Sequence, residues 1–147
     1  MDMISHGFIA YALLHRLPYS WLVLPIAFMP DIITFLPLLL QGKALTENSK
    51  REDVPNYVVT LYAITHSLVT YAVVFLIVAY FFGAWALLLG AWLIHILIDI
   101  PLHEADLLPV RFLYPLSNVH INGISYATPQ FRLFNYAIIT LLYIWGF

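Results

Sequence analysis

A histidine and an aspartate stand four residues apart in the run Trp92-Leu-Ile-His95-Ile-Leu-Ile-Asp99-Ile-Pro101-Leu-His103, which is otherwise apolar. On a helix this spacing puts both side chains on one face, one turn apart. Ionisable groups inside an apolar helix are costly to bury and need a partner. A neutral imidazole with a carboxylate one turn away is a ready pair of ligands for a divalent metal. The same pair also serves as a buried His–Asp hydrogen bond that pins two helices together. Three more groups of this kind lie in apolar surroundings: His6, Asp31 directly after Pro30, and His66 within Thr65-His66-Ser67. The hydroxyls flanking His66 are placed to hydrogen-bond its second ring nitrogen, the usual way a metal-binding imidazole is oriented.

The elements that carry these residues are read from composition and punctuation. Of the 147 residues, 63% are hydrophobic and 10% charged, with mean hydropathy +0.88. Soluble domains carry about 25% charged residues, so the composition predicts an integral membrane protein. The expected fold class is all-α, a polytopic bundle of about five helices, some short or broken by proline, forming one domain over residues 1–147. The net charge of −2 offers no basic footprint for nucleic acid. The absence of cysteine excludes disulfides and thiolate ligands. No basic stretch precedes the first apolar segment, so no cleaved signal peptide is expected.

Ile4 to Leu14 reads as a short helix. Trp21 to Leu40 follows, with Pro25, Pro30 and Pro37 expected to kink or break it, the important break falling at Met29-Pro30-Asp31. Gln41 to Pro55 is a polar loop. Asn56 to Phe82 reads as one long helix. Gly83 marks a tight turn, and Ala84 to about Ile100 is the helix of His95 and Asp99, ended by Pro101. Leu102 to Gln130 is an irregular interfacial segment with Glu104, Asp106, Arg111, Phe112, Tyr114, His120 and Tyr126. Phe131 to Phe147 is expected to be a last helix of plain lipid-facing packing.

If the chain reverses at each turn, His6, Asp31, His66, His95 and Asp99 approach one face of the bundle, with His103 just beyond. Structural histidines acting independently have no reason to agree in depth, so the convergence favours a metal site. Asp31, His66, His95 and Asp99 are the expected ligands of one ion, with His6 in a second or shared position. His15 falls at the opposite end and reads as interfacial. Zinc suits the nitrogen-rich ligands, with manganese or iron as alternatives, and one or two ions are expected. The loops at the site's end hold Lys43, Lys50, Arg51, Arg111 and Arg132, and the opposite end only Arg16. That excess predicts a multi-pass protein of the cell (inner) membrane with a cytoplasmic site and N-terminus.

The motifs His6-Gly-Phe-Ile-Ala, Pro30-Asp31, Thr65-His66-Ser67-Leu68 and His95-x3-Asp99 resemble those of the small membrane-bound metal-dependent hydrolases of the YdjM type. The chain is also distantly similar to zinc-dependent phospholipase C and the S1/P1 nucleases, whose His-x3-Asp pair is often followed by Pro-Leu-His, as in Pro101-Leu102-His103. The resemblance implies a phosphoester hydrolase, with a phospholipid or lipid-linked phosphate as substrate, and adds His103 to the ligand set. It implies catalytic roles for Asp99 and Asp31. Physically, an ion with an open position lowers the pKa of bound water to about 7. Arg111 and Arg132 are the candidates for binding phosphoryl oxygens. The chain departs from the pattern where Pro30-Asp31-Ile32-Ile33 lacks a second carboxylate, where Tyr62 stands in place of an arginine, and where Ile124 follows His120. The outer ligands of a larger cluster are therefore missing, unless Glu104 or Asp106 substitutes. Two other readings stay open: a membrane transporter or sensor that binds metal without turnover, and a structural membrane protein whose His–Asp pairs only pack helices.

Overall fold

The computed structural model describes residues 2–45, 49–103, 107–124 and 128–146. Among them every regular element is helical: α1 (Met3–Leu14), α2 (Val23–Leu40), α3 (Asn56–Thr65), α4 (Leu68–Phe82), α5 (Gly90–Leu102) and α6 (Pro129–Gly146). Short 3-10 stretches lead into α2 (Ser20–Leu22) and α5 (Gly83–Leu89).

Asp2 caps α1, its carboxylate accepting from the Ser5 amide at 2.9 Å and the Ser5 hydroxyl at 2.8 Å. One residue past His6, Gly7 sits where α1 crosses α2. A Cβ there would lie 2.2 Å from the Phe28 ring, so the absence of a side chain sets how closely the helices approach.

The prolines do not interrupt α2 as expected. Pro25 falls in its first turn, where an N–H has no intrahelical partner in any case. Pro30 and Pro37 lie inside the helix. Around Pro30 other donors reach the backbone: the Thr34 hydroxyl donates to the Pro30 carbonyl at 2.8 Å, and a histidine of α5 donates to that of Ala27.

The long helix expected from Asn56 to Phe82 is divided. His66 and Ser67 leave helical geometry, and the Ser67 hydroxyl caps α4 by accepting from the amides of Val69 and Thr70 at 3.1 and 3.3 Å. The gap is held from outside: the Leu68 amide donates to the Phe112 carbonyl at 2.9 Å, and the Ser67 hydroxyl to that of Tyr114. Gly83 turns the chain at φ +57°, as expected. The rings of Tyr71 and Trp92 then meet edge-on at 5.6 Å. In one straight helix those residues would be about 31 Å apart, so α4 and α5 form a hairpin. The turn continues as 3-10 helix to Leu89, and Pro101 lies within the last turn of α5 rather than beyond it.

Helix α6 runs parallel to α1. The Asn135 amide donates to the Ser5 hydroxyl at 2.7 Å near the start of both, and Gly146 lies against the Ala12 carbonyl at their ends. Asn135 is buried, so this face of α6 packs on protein instead of facing lipid.

Two apolar clusters divide the interior. One joins Leu38, Val54, Val58, Val59, Tyr62, Leu108 and Val110; the other joins Ala10, Val23, Ala27, Leu88 and Ala91. Helices α2 and α5 pass through both, and their polar residues fall in the layer between. Two helical stretches, Ser20–Leu40 and Leu68–Leu102, are long and apolar enough to cross a membrane, the second being the α4–α5 hairpin.

Candidate metal centre

The layer between the clusters gathers His6 from α1, Asp31 from α2, His66 from the end of α3, and His95 and Asp99 from α5. The three imidazoles are fully buried, and Asp99 is 1% exposed. The Asp31 side chain is 16% exposed and that of His103 18%, so both lie at the rim.

The Nε2 atoms of His66 and His95 face each other at 3.1 Å. Asp99 Oδ2 lies 3.5 and 3.4 Å from them, and Asp31 Oδ1 lies 3.6 and 3.8 Å away. The other nitrogen of each ring is committed. His95 Nδ1–H donates to the Ala27 carbonyl at 2.8 Å, and His66 Nδ1–H points at the Tyr62 carbonyl at 3.1 Å. A carbonyl only accepts, so in both neutral rings the proton sits on Nδ1 and Nε2 presents a bare lone pair. Four acceptor atoms thus converge with no donor among them. A cation between them removes that repulsion, and backbone-anchored rings are the usual outer support of metal-binding imidazoles. Tetrahedral ligands about 2.0–2.1 Å from zinc are about 3.3 Å apart, close to the 3.1–3.5 Å separations among His66, His95 and Asp99.

The second oxygen of Asp99 faces the other way. Oδ1 is 2.9 Å from His6 Nε2 and 3.3 Å from His103 Nδ1. The His6 ring stacks on His95 with centroids 3.9 Å apart, and its Nδ1 has no hydrogen-bond partner among the described residues. A buried imidazole with one nitrogen on a carboxylate and the other without a partner fits a ligand position. The donor set therefore divides into Asp31, His66 and His95, and His6, His95 and Asp99, and it can hold a metal ion. Because His95 offers only one free nitrogen, it can serve only one of these two groups at a time.

The supporting residues were less visible in the sequence. Tyr62 stacks on His66 at 3.9 Å. The Thr65 hydroxyl lies 3.0 Å from His66 Nδ1 and 3.0 Å from the Thr34 hydroxyl, while Trp92 Nε1–H donates to the Thr65 carbonyl at 2.7 Å. Thr65 stood out beside the histidine. Thr34 carried a signal only as the hydroxyl one turn after Pro30, and Asn135 as an amide in an otherwise apolar helical stretch.

Arg111 lies on the segment held against Ser67 and Leu68, its Nη1 3.5 Å from Asn118 Oδ1. Arg132 is exposed on the first turns of α6. His15 is at the far end of α1, donating from Nδ1 to the Ala12 carbonyl at 2.8 Å. His120 is exposed. Glu104 and Asp106 lie outside the described residues. Backbone bonds hold the loop to the rim at His103: Gly123 N donates to the His103 carbonyl at 2.9 Å and Ile124 N to that of Pro101 at 3.0 Å. A Cβ on Gly123 would lie 2.3 Å from the Pro101 oxygen. Comparison with protein-family models, curated proteins and solved structures returns no match for this chain.

Proposed function

We propose that this chain is a membrane-embedded, metal-dependent hydrolase of phosphoesters, acting on a phospholipid or lipid-linked phosphate. The observation that carries the metal reading is that two bare imidazole nitrogens face each other with Asp31 and Asp99 each within 3.8 Å of both. Hydrolysis and the substrate class rest on the motif resemblance to YdjM-type hydrolases and zinc-dependent phospholipase C. A divalent ion, zinc by ligand type, supplies Lewis acidity and makes water a nucleophile near neutral pH.

The residues of the chain do the rest. His66 and His95 are held in one tautomer by backbone carbonyls, so their nitrogens stay aimed inward. Asp99 presents one oxygen to each half of the cluster and ties them together. Asp31 and His103 form the accessible rim, where a phosphoester meets the site. Arg111, on the segment pinned beside His66, offers a planar fork of donors to its oxygens.

The lipid reading is supported by α4. Its fifteen residues are apolar almost throughout, yet none is buried. In water that surface would be an aggregation liability; in hydrocarbon it is ordinary. A cytoplasmic site and N-terminus, in the cell membrane, is the orientation favoured by the five cations at the site's end against Arg16 alone at the other. A cysteine at Ser49, in the loop after α2, would then resist an impermeant reagent in intact cells.

The deciding experiment is elemental analysis of purified protein, followed by reconstitution with mixed phospholipids and lipid-linked phosphates, with and without chelator. Stoichiometric metal and chelator-sensitive release of phosphate or headgroup support the hydrolase. Metal without turnover under any condition favours a binding protein. Metal-free protein means that a proton bridges His66 and His95, whose 3.1 Å separation also suits a hydrogen bond.

A further inference from the structure

The parallel helices α1 and α6 leave an open groove of about 520 Å³ between their C-terminal halves, far along α1 from His6. Leu13, Ile138, Leu141 and Leu142 line its length, and Arg16 and Trp145 stand at its mouth. Arg16 is exposed and has no hydrogen-bond or ion-pair partner among the described residues. It is also the only lysine or arginine before Lys43. Trp145 beside it is 86% exposed. An apolar channel along two helices, ending at one unpaired cation and one indole, has the polarity of a lipid: tails below, headgroup above.

We propose that this groove holds one phospholipid, with an acyl chain along Leu13 and Leu141 and the phosphate on the Arg16 guanidinium. This site rests on the membrane reading above but not on the metal or its chemistry. The helix end would otherwise repel an anion, because carbonyls at a C-terminus carry partial negative charge. Two carbonyls of α1 there are already engaged: Leu17 N donates to Leu14 O at 3.0 Å, and His15 Nδ1 to Ala12 O at 2.8 Å. The guanidinium, on the residue just after them, supplies a paired donor that matches a phosphate. The groove lined by Phe8, Ile139 and Tyr143 on the same helix pair has no cation in its lining.

The test is native mass spectrometry of the full-length protein in detergent, titrated with phosphatidylglycerol and with diacylglycerol of the same chains. One phosphatidylglycerol should bind about tenfold more tightly than diacylglycerol, the difference a charge-assisted phosphate contact supplies. Arg16→Gln should remove that preference, and Leu141→Trp, which fills the groove, should displace both lipids. Each variant is checked for unchanged thermal unfolding and size-exclusion profile, so that a misfolded protein is recognised. Equal binding of the two lipids, or an unchanged preference in Arg16→Gln, overturns the site. Flotation with phosphatidylcholine vesicles separates the two failures. Protein that does not float overturns the membrane reading itself, whereas protein that floats without the preference overturns only the lipid site.

Discussion

Helices α4 and α5 are the two arms of one hairpin, and both are strongly apolar, but the protein uses them in opposite ways. Helix α5 buries Ala91, Trp92, His95, Ile96 and Asp99, whereas α4 buries nothing. The residues drawn inward on α5 include its two ionisable groups, while Val73, Leu76, Ile77, Phe81 and Phe82 of α4 are exposed and its other apolar residues are half-buried or exposed. A protein folding in water sorts its side chains the other way. When the surroundings are themselves apolar, burying a leucine gains little, and the groups that must be enclosed are those that need polar partners. On α5 the His95–Asp99 pair supplies that need, and α1, α2 and α3 bring the groups that answer it.

The largest effects should come from removing that need on α5. Asp99→Asn and His95→Ala should each lower bound metal by more than about tenfold, measured by elemental analysis, while Leu76→Ala on α4 retains it. Equal retention in all three would dissolve the contrast between the arms. Next, Leu76→Lys puts a charge at the middle of α4. If that face meets hydrocarbon, the charge costs roughly 2.5–3.5 kcal/mol of insertion free energy, read in a glycosylation-based insertion assay. A face that meets water would show no cost.

Gly7→Ala tests how closely α1 must approach to deliver His6. The added methyl runs into Phe28, which should cost about 1–3 kcal/mol of stability on thermal unfolding. Metal bound with His6 should weaken with it. Thr65→Val is the smallest change. It removes a hydroxyl beside His66 but leaves the Tyr62 carbonyl in place, so metal affinity should fall about tenfold at most. A larger loss would mean that Thr65, rather than the carbonyl, orients the ring.

The centre was more legible in the sequence than the path of the chain through it. His6, Asp31, His66, His95 and Asp99 stood out because each is costly in its apolar run, and the i, i+4 spacing of the last two survives any error in helix ends. The division at His66–Ser67 was hidden because the apolar run from Val58 to Phe82 continues on both sides of Thr65-His66-Ser67, which reads equally well as polar residues inside one helix. What makes it is a cap from Ser67 and two bonds to Phe112 and Tyr114, more than forty positions away. The continuity of α2 through Pro30 was hidden for a related reason. The Thr34 hydroxyl and His95, from another helix, bond the Pro30 and Ala27 carbonyls, next to the Ile26 carbonyl that Pro30 leaves without its usual N–H. Asn135 was passed over because an amide in an apolar helix shows its purpose only once its partner, Ser5, is known.

Gly123 gives the loop beyond α5 an uneven tolerance to mutation. Leu116, Val119, Ile121 and Ile124 are exposed around it, and substitution there changes only surface. At Gly123 even a methyl group would meet the Pro101 and His103 carbonyls. In a saturation library scored for function, this position should be a single intolerant column in a permissive stretch. Its sensitivity would come from no chemistry of its own, only from the space that it leaves beside His103.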